Sequence, residues 1–228
     1  MATKYFTPEL FKFLNELKDN NDRVWFKANQ QRFEDVVRQP ALDFITDFAG
    51  PLAGISDHFV ADSRTVGGSL FRIQRDTRFA KDKTPYKLNT GMHFRHERAK
   101  DAHAPGFYLH LAPGACFVGV GLWRPESKVA YKIRDHIGEN PEQWKKATRS
   151  KKFSERFELG GDSLKRPPKG FDPDHPLIDD LKRKDFMATC NLTQGQITNA
   201  KLMPSFEEHC KRAVPLMRFL CEAVGVDF

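Results

Sequence analysis

Apolar residues recur at helical spacing through the first fifty residues. Thr7-Pro-Glu-Leu10 carries a start signal, with Thr as N-cap and Pro at the first helical position. Leu10, Phe13, Leu14 and Leu17 then share one face. Asp19-Asn-Asn-Asp22 interrupts, and a second helix is expected to bury Trp25, Phe26, Phe33, Val36 and Val37. Pro40 is expected to bend or restart it. Leu42, Ile45, Phe48 and Leu52 form a third stripe, whose end Gly50-Pro51 is expected to fray.

The period then changes. Residues 59–61, 92–95, 107–111 and 116–123 read as strands. Ala112-Pro-Gly-Ala115 has the composition of a tight turn, so a β-hairpin is predicted at about 106–123. Gly119 and Gly121 leave one face of its second strand bare, where a backbone, a ring or a ligand can approach closely. Helical spacing returns at 127–137, and Pro141 starts another helix. Residues 160–176, rich in Gly, Pro and Lys, read as a surface loop. A short helix near 177–181, a strand at 186–192 and a closing helix at about 205–223 follow. Helices early and late with strands between predict an α+β fold. Its central sheet is mainly antiparallel and is covered by N-terminal and C-terminal helices. Residues 1–228 are expected to form a single domain.

Composition supports a real core: 20 of the 228 residues are Phe. Four scattered Cys without a CxxC pair argue against a disulfide framework and a zinc ribbon. Nothing at the N-terminus resembles an apolar signal core, and no run reaches the ~18 apolar residues of a membrane helix. The expected location is therefore cytoplasmic, with no membrane partner. A net charge of +7 fits nucleic acid, phosphorylated metabolites or acidic partners.

Residues 72–87 concentrate that charge. Three Arg (Arg72, Arg75, Arg78) and three Lys (Lys81, Lys83, Lys87) are interleaved with Asp76 and Asp82. As a strand, 70–74 would point Phe71 and Ile73 inward and Arg72 outward. As a helical turn, it would align Arg72, Arg75 and Arg78 on one flank. Either arrangement gathers guanidinium groups that need the two acids or a bound anion to offset their repulsion. Asp82-Lys-Thr-Pro85 reads as a turn that presents Lys83 and Tyr86. The candidate ligand-binding residues are Arg72, Arg75, Asp76, Arg78, Lys83 and Tyr86, with Trp123 as a further apolar wall. In any reaction there, Asp76 or Tyr86 would transfer protons and Lys83 would stabilise charge.

Arg72-x-x-Arg75-Asp76-x-Arg78-Phe79-x-x-x-Lys83-x-x-Tyr86 resembles the signature of the domain of unknown function 2461 family. Asn20-Asn-Asp-Arg-Val-Trp-Phe26 is similar to its N-terminal motif, and Gly106-Phe-Tyr-Leu-His-Leu with Gly119-Val-Gly-Leu-Trp-Arg-Pro125 to its hairpin. Arg134-x-x-Ile137 and Leu164-Lys-Arg-Pro-Pro-Lys-Gly-Phe171 extend the resemblance over nearly the whole chain. Ala80 replaces a common Ser, and Asp22 is inserted in the first motif. The resemblance implies one full-length domain and no particular activity.

Other patterns are bland. His93, His96, Asp101 and His103 form the densest metal-like cluster, but positions i and i+3 of a strand face opposite ways, and no metal is expected. Tyr108 and His110 share a strand face. No P-loop, dinucleotide fingerprint or nucleophile elbow occurs, so no cofactor is expected. Three readings stay open. The first is binding of an anionic small molecule bearing phosphate or carboxylate. The second is binding of nucleic acid, with basic residues 149–169 extending the same groove. The third is a scaffold in which the motif is a structural ion-pair network.

Overall fold

Asp22 shows how local chemistry sets the elements. Its carboxylate accepts from the amides of Val24 (2.8 Å) and Trp25 (2.9 Å), capping a short helix. The computed structural model describes residues 3–98 and 104–228. Helix α1 spans Pro8–Asp19, α2 Arg23–Ala28 and α3 Gln30–Phe33; α3 runs through a π turn at Glu34–Arg38 into α4, Gln39–Ala53. Pro40 therefore does not restart the helix; the backbone widens just before it. Nor does Gly50-Pro51 fray α4, because Leu52 is buried and packing overrides local propensity.

Strands β1 (Phe59–Val60), β2 (Thr90–His96), β3 (Gly106–Leu111) and β4 (Cys116–Leu122) follow. Then come α5 (Ser127–Glu139), α6 (Pro141–Arg149), α7 (Lys151–Ser154) and β5 (Glu158–Gly160). The chain ends with α8 (Ile178–Leu181), β6 (Phe186–Leu192), α9 (Gln194–Ile197) and α10 (Leu202–Val224). The six strands pair antiparallel in the order β1-β2-β3-β4-β6-β5. The fold is α+β, with the predicted hairpin at β3–β4.

Alternation divides the sheet into two faces. Phe94, Phe107, Leu109, Val118, Val120, Phe186 and Ala188 are buried on one. Against it pack α4 and α10, with Phe48 and Phe206 4.7 Å and 5.6 Å from Phe94, centroid to centroid. Pairing aligns the other face in cross-strand rows. One row is Arg95, Gly106, Gly121, Met187 and Gly160; the next is His93, Tyr108, Gly119, Thr189 and Glu158. No helix among the described residues is long and apolar enough to cross a membrane.

Candidate functional site

The signature forms an irregular ribbon beside β2. The Phe71 amide donates to the Gly91 carbonyl (2.9 Å), Arg75 to Pro85 (2.8 Å) and Lys87 to Ile73 (2.8 Å). The extended alternative is thus the one adopted, and no helical flank lines up Arg72, Arg75 and Arg78. Ile73 is buried as expected, but Phe71 lies exposed at a cavity rim.

Four of the candidate residues, Arg75, Asp76, Arg78 and Lys83, take their partners within the signature itself. Arg75 donates to Asp82 (2.5 Å) and to the Thr84 hydroxyl. Arg78 grips Asp76 through Nε (3.0 Å) and Nη2 (2.7 Å). Lys83 Nζ donates to the Thr77 carbonyl at 2.9 Å. Tyr86 is buried, stacked 4.0 Å from the Phe26 ring. The Asn21 side chain clamps the Tyr86 backbone, donating to its carbonyl and accepting from its amide, both at 3.0 Å. The N-terminal motif therefore holds the end of the central signature. Phe79, 96% exposed, sits within the intervening loop.

The Thr84 amide, the Arg75 guanidinium and the Thr84 hydroxyl together pull the Asp82 carboxyl from 3.8 down to about 2. A depressed carboxyl stabilises its folded surroundings above the unfolded value and loses that effect as pH falls through the folded value. Order in residues 75–84, followed by amide NMR, is therefore expected to persist to about pH 4 and disappear towards about pH 2. A loop equally ordered at about pH 1 would contradict the Asp82 brace.

Arg72 and Trp123 have different surroundings. Arg72 lines a cavity of about 540 Å³ with Arg38, Gly68, Phe71 and Arg95. A second cavity, about 650 Å³, lies over the open sheet face. It is lined by His93, Tyr108, His110, Phe117, Trp123 and Arg124, and it shares Phe71 and Arg95 with the first. Arg95 lies 5.6 Å and Lys87 5.5 Å over the Phe71 ring. Trp123 is 67% exposed, with the Arg124 guanidinium 4.7 Å above it.

Arg124 has φ 51°, the left-handed region, and its amide donates to Asp185 (2.7 Å). The other Asp185 oxygen accepts from the Asp162 amide at 2.8 Å. Arg134, buried in α5, donates to the carbonyls of Leu181 (2.7 Å) and Arg183 (2.7 Å), fixing the segment that leads to Asp185. The cavity wall thus rests on a chain of contacts reaching from Arg134 to Trp123.

Charge is one-sided here. Among the described residues, neither cavity is lined by a carboxylate. Among the described residues, Arg72, Arg95 and Arg124 have no ion-pair partner, whereas Arg38 is held by Glu34 at 2.7 Å. Burial, then Arg72, lowers the Lys87 pKa, as expected in a positive field. Burial also pushes His93 down to about 4 and Tyr108 up to about 12, and lowers His110. These three groups are neutral at pH 7. His93 Nδ1 accepts from Arg95 Nε at 3.2 Å, which leaves the ring proton on Nε2. The Tyr108 hydroxyl lies 2.9 Å from His110 Nδ1.

Arg95, Arg124, His93, Tyr108, His110 and Phe117 were not among the sequence candidates. The paired glycines of β4, with Tyr108 and His110 two residues apart, were the available signal. His93 and His96 point to opposite faces of β2, and His96 Nε2 contacts the Asp227 carbonyl at 2.9 Å. Asp101 and His103, the rest of that cluster, lie outside the described residues. Among the described residues no cluster of three metal-ligating side chains occurs.

Comparison with known proteins returns one result. A family model described as "Conserved hypothetical protein (DUF2461)" matches residues 9–219. No curated protein and no solved structure matches the chain. That match takes in the Asn21 clamp, the signature ribbon, the open sheet face and the Arg134–Asp185 support alike, and the chain belongs to the DUF2461 family.

Proposed function

We propose that this protein binds a small phosphate- or carboxylate-bearing molecule where its two cavities meet, with Arg72 and Arg95 gripping the anion. The observation that carries this reading is the contrast between two sets of guanidinium groups. Arg75 and Arg78 have Asp82 and Asp76 as partners. Arg72, Arg95 and Arg124 face cavities that no carboxylate among the described residues lines. Clustered guanidinium groups repel one another, and an anion offsets that repulsion through charge-assisted, bidentate hydrogen bonds.

The signature thereby has two parts: residues 75–86 brace the ribbon, and Phe71-Arg72 presents the binding edge. A nucleic-acid groove would have needed residues 149–169 beside the signature. The signature flanks β2, however, while Gly160 lies in β5, with β3, β4 and β6 between them. That separation, about 19 Å at ~4.8 Å per strand, favours a compact anion.

Calorimetric titration with inorganic phosphate and with 1-naphthyl phosphate tests the assignment. Arg72→Ala combined with Arg95→Ala is expected to weaken binding about 100-fold or more, since each lost charged hydrogen bond costs about 1.5–3 kcal/mol. Arg75→Ala combined with Arg78→Ala should change it less than about threefold. The opposite pattern would overturn the proposal.

A further inference from the structure

We infer that the cavity over the open sheet face is a ring-binding subsite, so that the ligand is a small molecule whose planar aromatic ring carries the phosphate or carboxylate. This deepens the anion-binding reading and rests on it.

Gly119 supplies the first argument. Gly121 is required by the fold, with φ 107° and backbone against it, and Gly106 is crowded by the His93 ring. A Cβ at Gly106 would meet His93 Nε2 at 2.3 Å, and one at Gly121 would meet the Phe186 carbonyl oxygen at 2.3 Å. At Gly119 a Cβ would meet Phe117 and Tyr108 only at 3.6 Å, ordinary van der Waals contact. Packing therefore does not exclude a side chain there. A bare position in a central strand weakens the strand and leaves open space above the sheet.

The shape and chemistry of that space fit a ring. Its floor is aromatic: His110 and Phe117 stack at 4.6 Å with 13° between planes, and Tyr108 lies 5.9 Å from Phe117. The polar groups in the floor, His93, Tyr108 and His110, are uncharged at neutral pH, so a ring can cover them without desolvating a charge. The cations that line the same cavity are Arg95, beside Phe71, and Arg124, beside Trp123. About 650 Å³ exceeds the needs of a bare phosphate and is ordinary for an organic ligand. Half-buried floor rings suit one inserted ring better than a strand of bases, which needs exposed stacking platforms.

The test uses the whole chain and five probes: inorganic phosphate, 1-naphthyl phosphate, 1-naphthoate, acetate and 1-naphthol. Naphthyl phosphate should bind at least about tenfold tighter than phosphate, or naphthoate than acetate, and naphthol should bind weakly. The two pairs also show which anion is preferred. Gly119→Leu should abolish the advantage of the ring, while inorganic phosphate binds as before and the melting temperature is kept. Gly119→Ala should fall between the two and guards against a Leu variant that fails to fold. Equal affinity for ring-bearing and ring-free anions, unmoved by Gly119→Leu, would overturn the ring subsite but leave the anion site standing. Loss of phosphate binding in Arg72→Ala, with the ring advantage intact, supports both. No binding of any anion at millimolar concentration would overturn both. Affinity for single-stranded DNA that rises with length and falls steeply with salt, without affinity for naphthyl phosphate, would replace the small molecule with a nucleic acid.

Discussion

Replacing Asp185 with Ala is expected to destabilise the protein by about 3 kcal/mol, the cost of two hydrogen bonds to a charged acceptor. At ~2–4 °C per kcal/mol for a chain of this size, the melting temperature falls by about 6–12 °C. Asp185 is 3% exposed and accepts from the amides of Arg124 and Asp162. Without it both donors lose their partner, and no other hydrogen bond among the described residues holds the Arg124 backbone at its positive φ. Asp185→Asn keeps one carbonyl acceptor and should cost about half as much. In both variants the Trp123–Arg124 wall loosens, so ring-bearing anions should bind more weakly even well below the melting temperature. Urea and thermal denaturation measure the first effect. An unchanged midpoint for Asp185→Ala would refute the supporting role.

Tyr86→Ala is expected to cost about 3 kcal/mol or more, as large aromatic truncations in cores do. The ring is buried in stacked contact with Phe26, and its backbone is clamped by Asn21. Anion affinity, measured where the variant is still folded, should stay within about threefold of the parent. Denaturation and titration on the same sample separate these outcomes. A stable variant with lost affinity would return Tyr86 to the ligand-binding set, where the sequence pattern had placed it.

Much of this was legible in the sequence, for physical reasons that can be named. The β3–β4 hairpin showed as two apolar runs around Pro-Gly, because strand period and turn chemistry are both local. The closing helix appeared as one face from Phe206 to Cys221, although α10 continues through Pro215. Asp76 and Asp82 were recognisable as partners for the arginines, since Asx turns and short-range ion pairs need few residues. β5 was not recognised where the chain enters the Gly-, Pro- and Lys-rich loop, because three residues carry too little periodicity. The π turn before Pro40 has no pattern of its own. Above all, Arg95, Gly106, Gly121 and Met187 meet only through strand register. Register joins positions up to about ninety residues apart, and no linear motif reports it. The densest charge run drew attention to Arg75, Arg78 and Lys83, whereas the unpaired guanidinium groups sit at its edge and on neighbouring strands.

Mapping bound anion by amide NMR tests the central claim most directly. Titration of the full chain with 1-naphthyl phosphate is expected to shift Arg72, Arg95, Gly106, Gly119, Gly121 and Arg124 together, leaving 76–84 nearly unmoved. Shifts confined to 75–84, with the sheet-face glycines silent, would contradict the assignment and place the anion on the paired arginines instead.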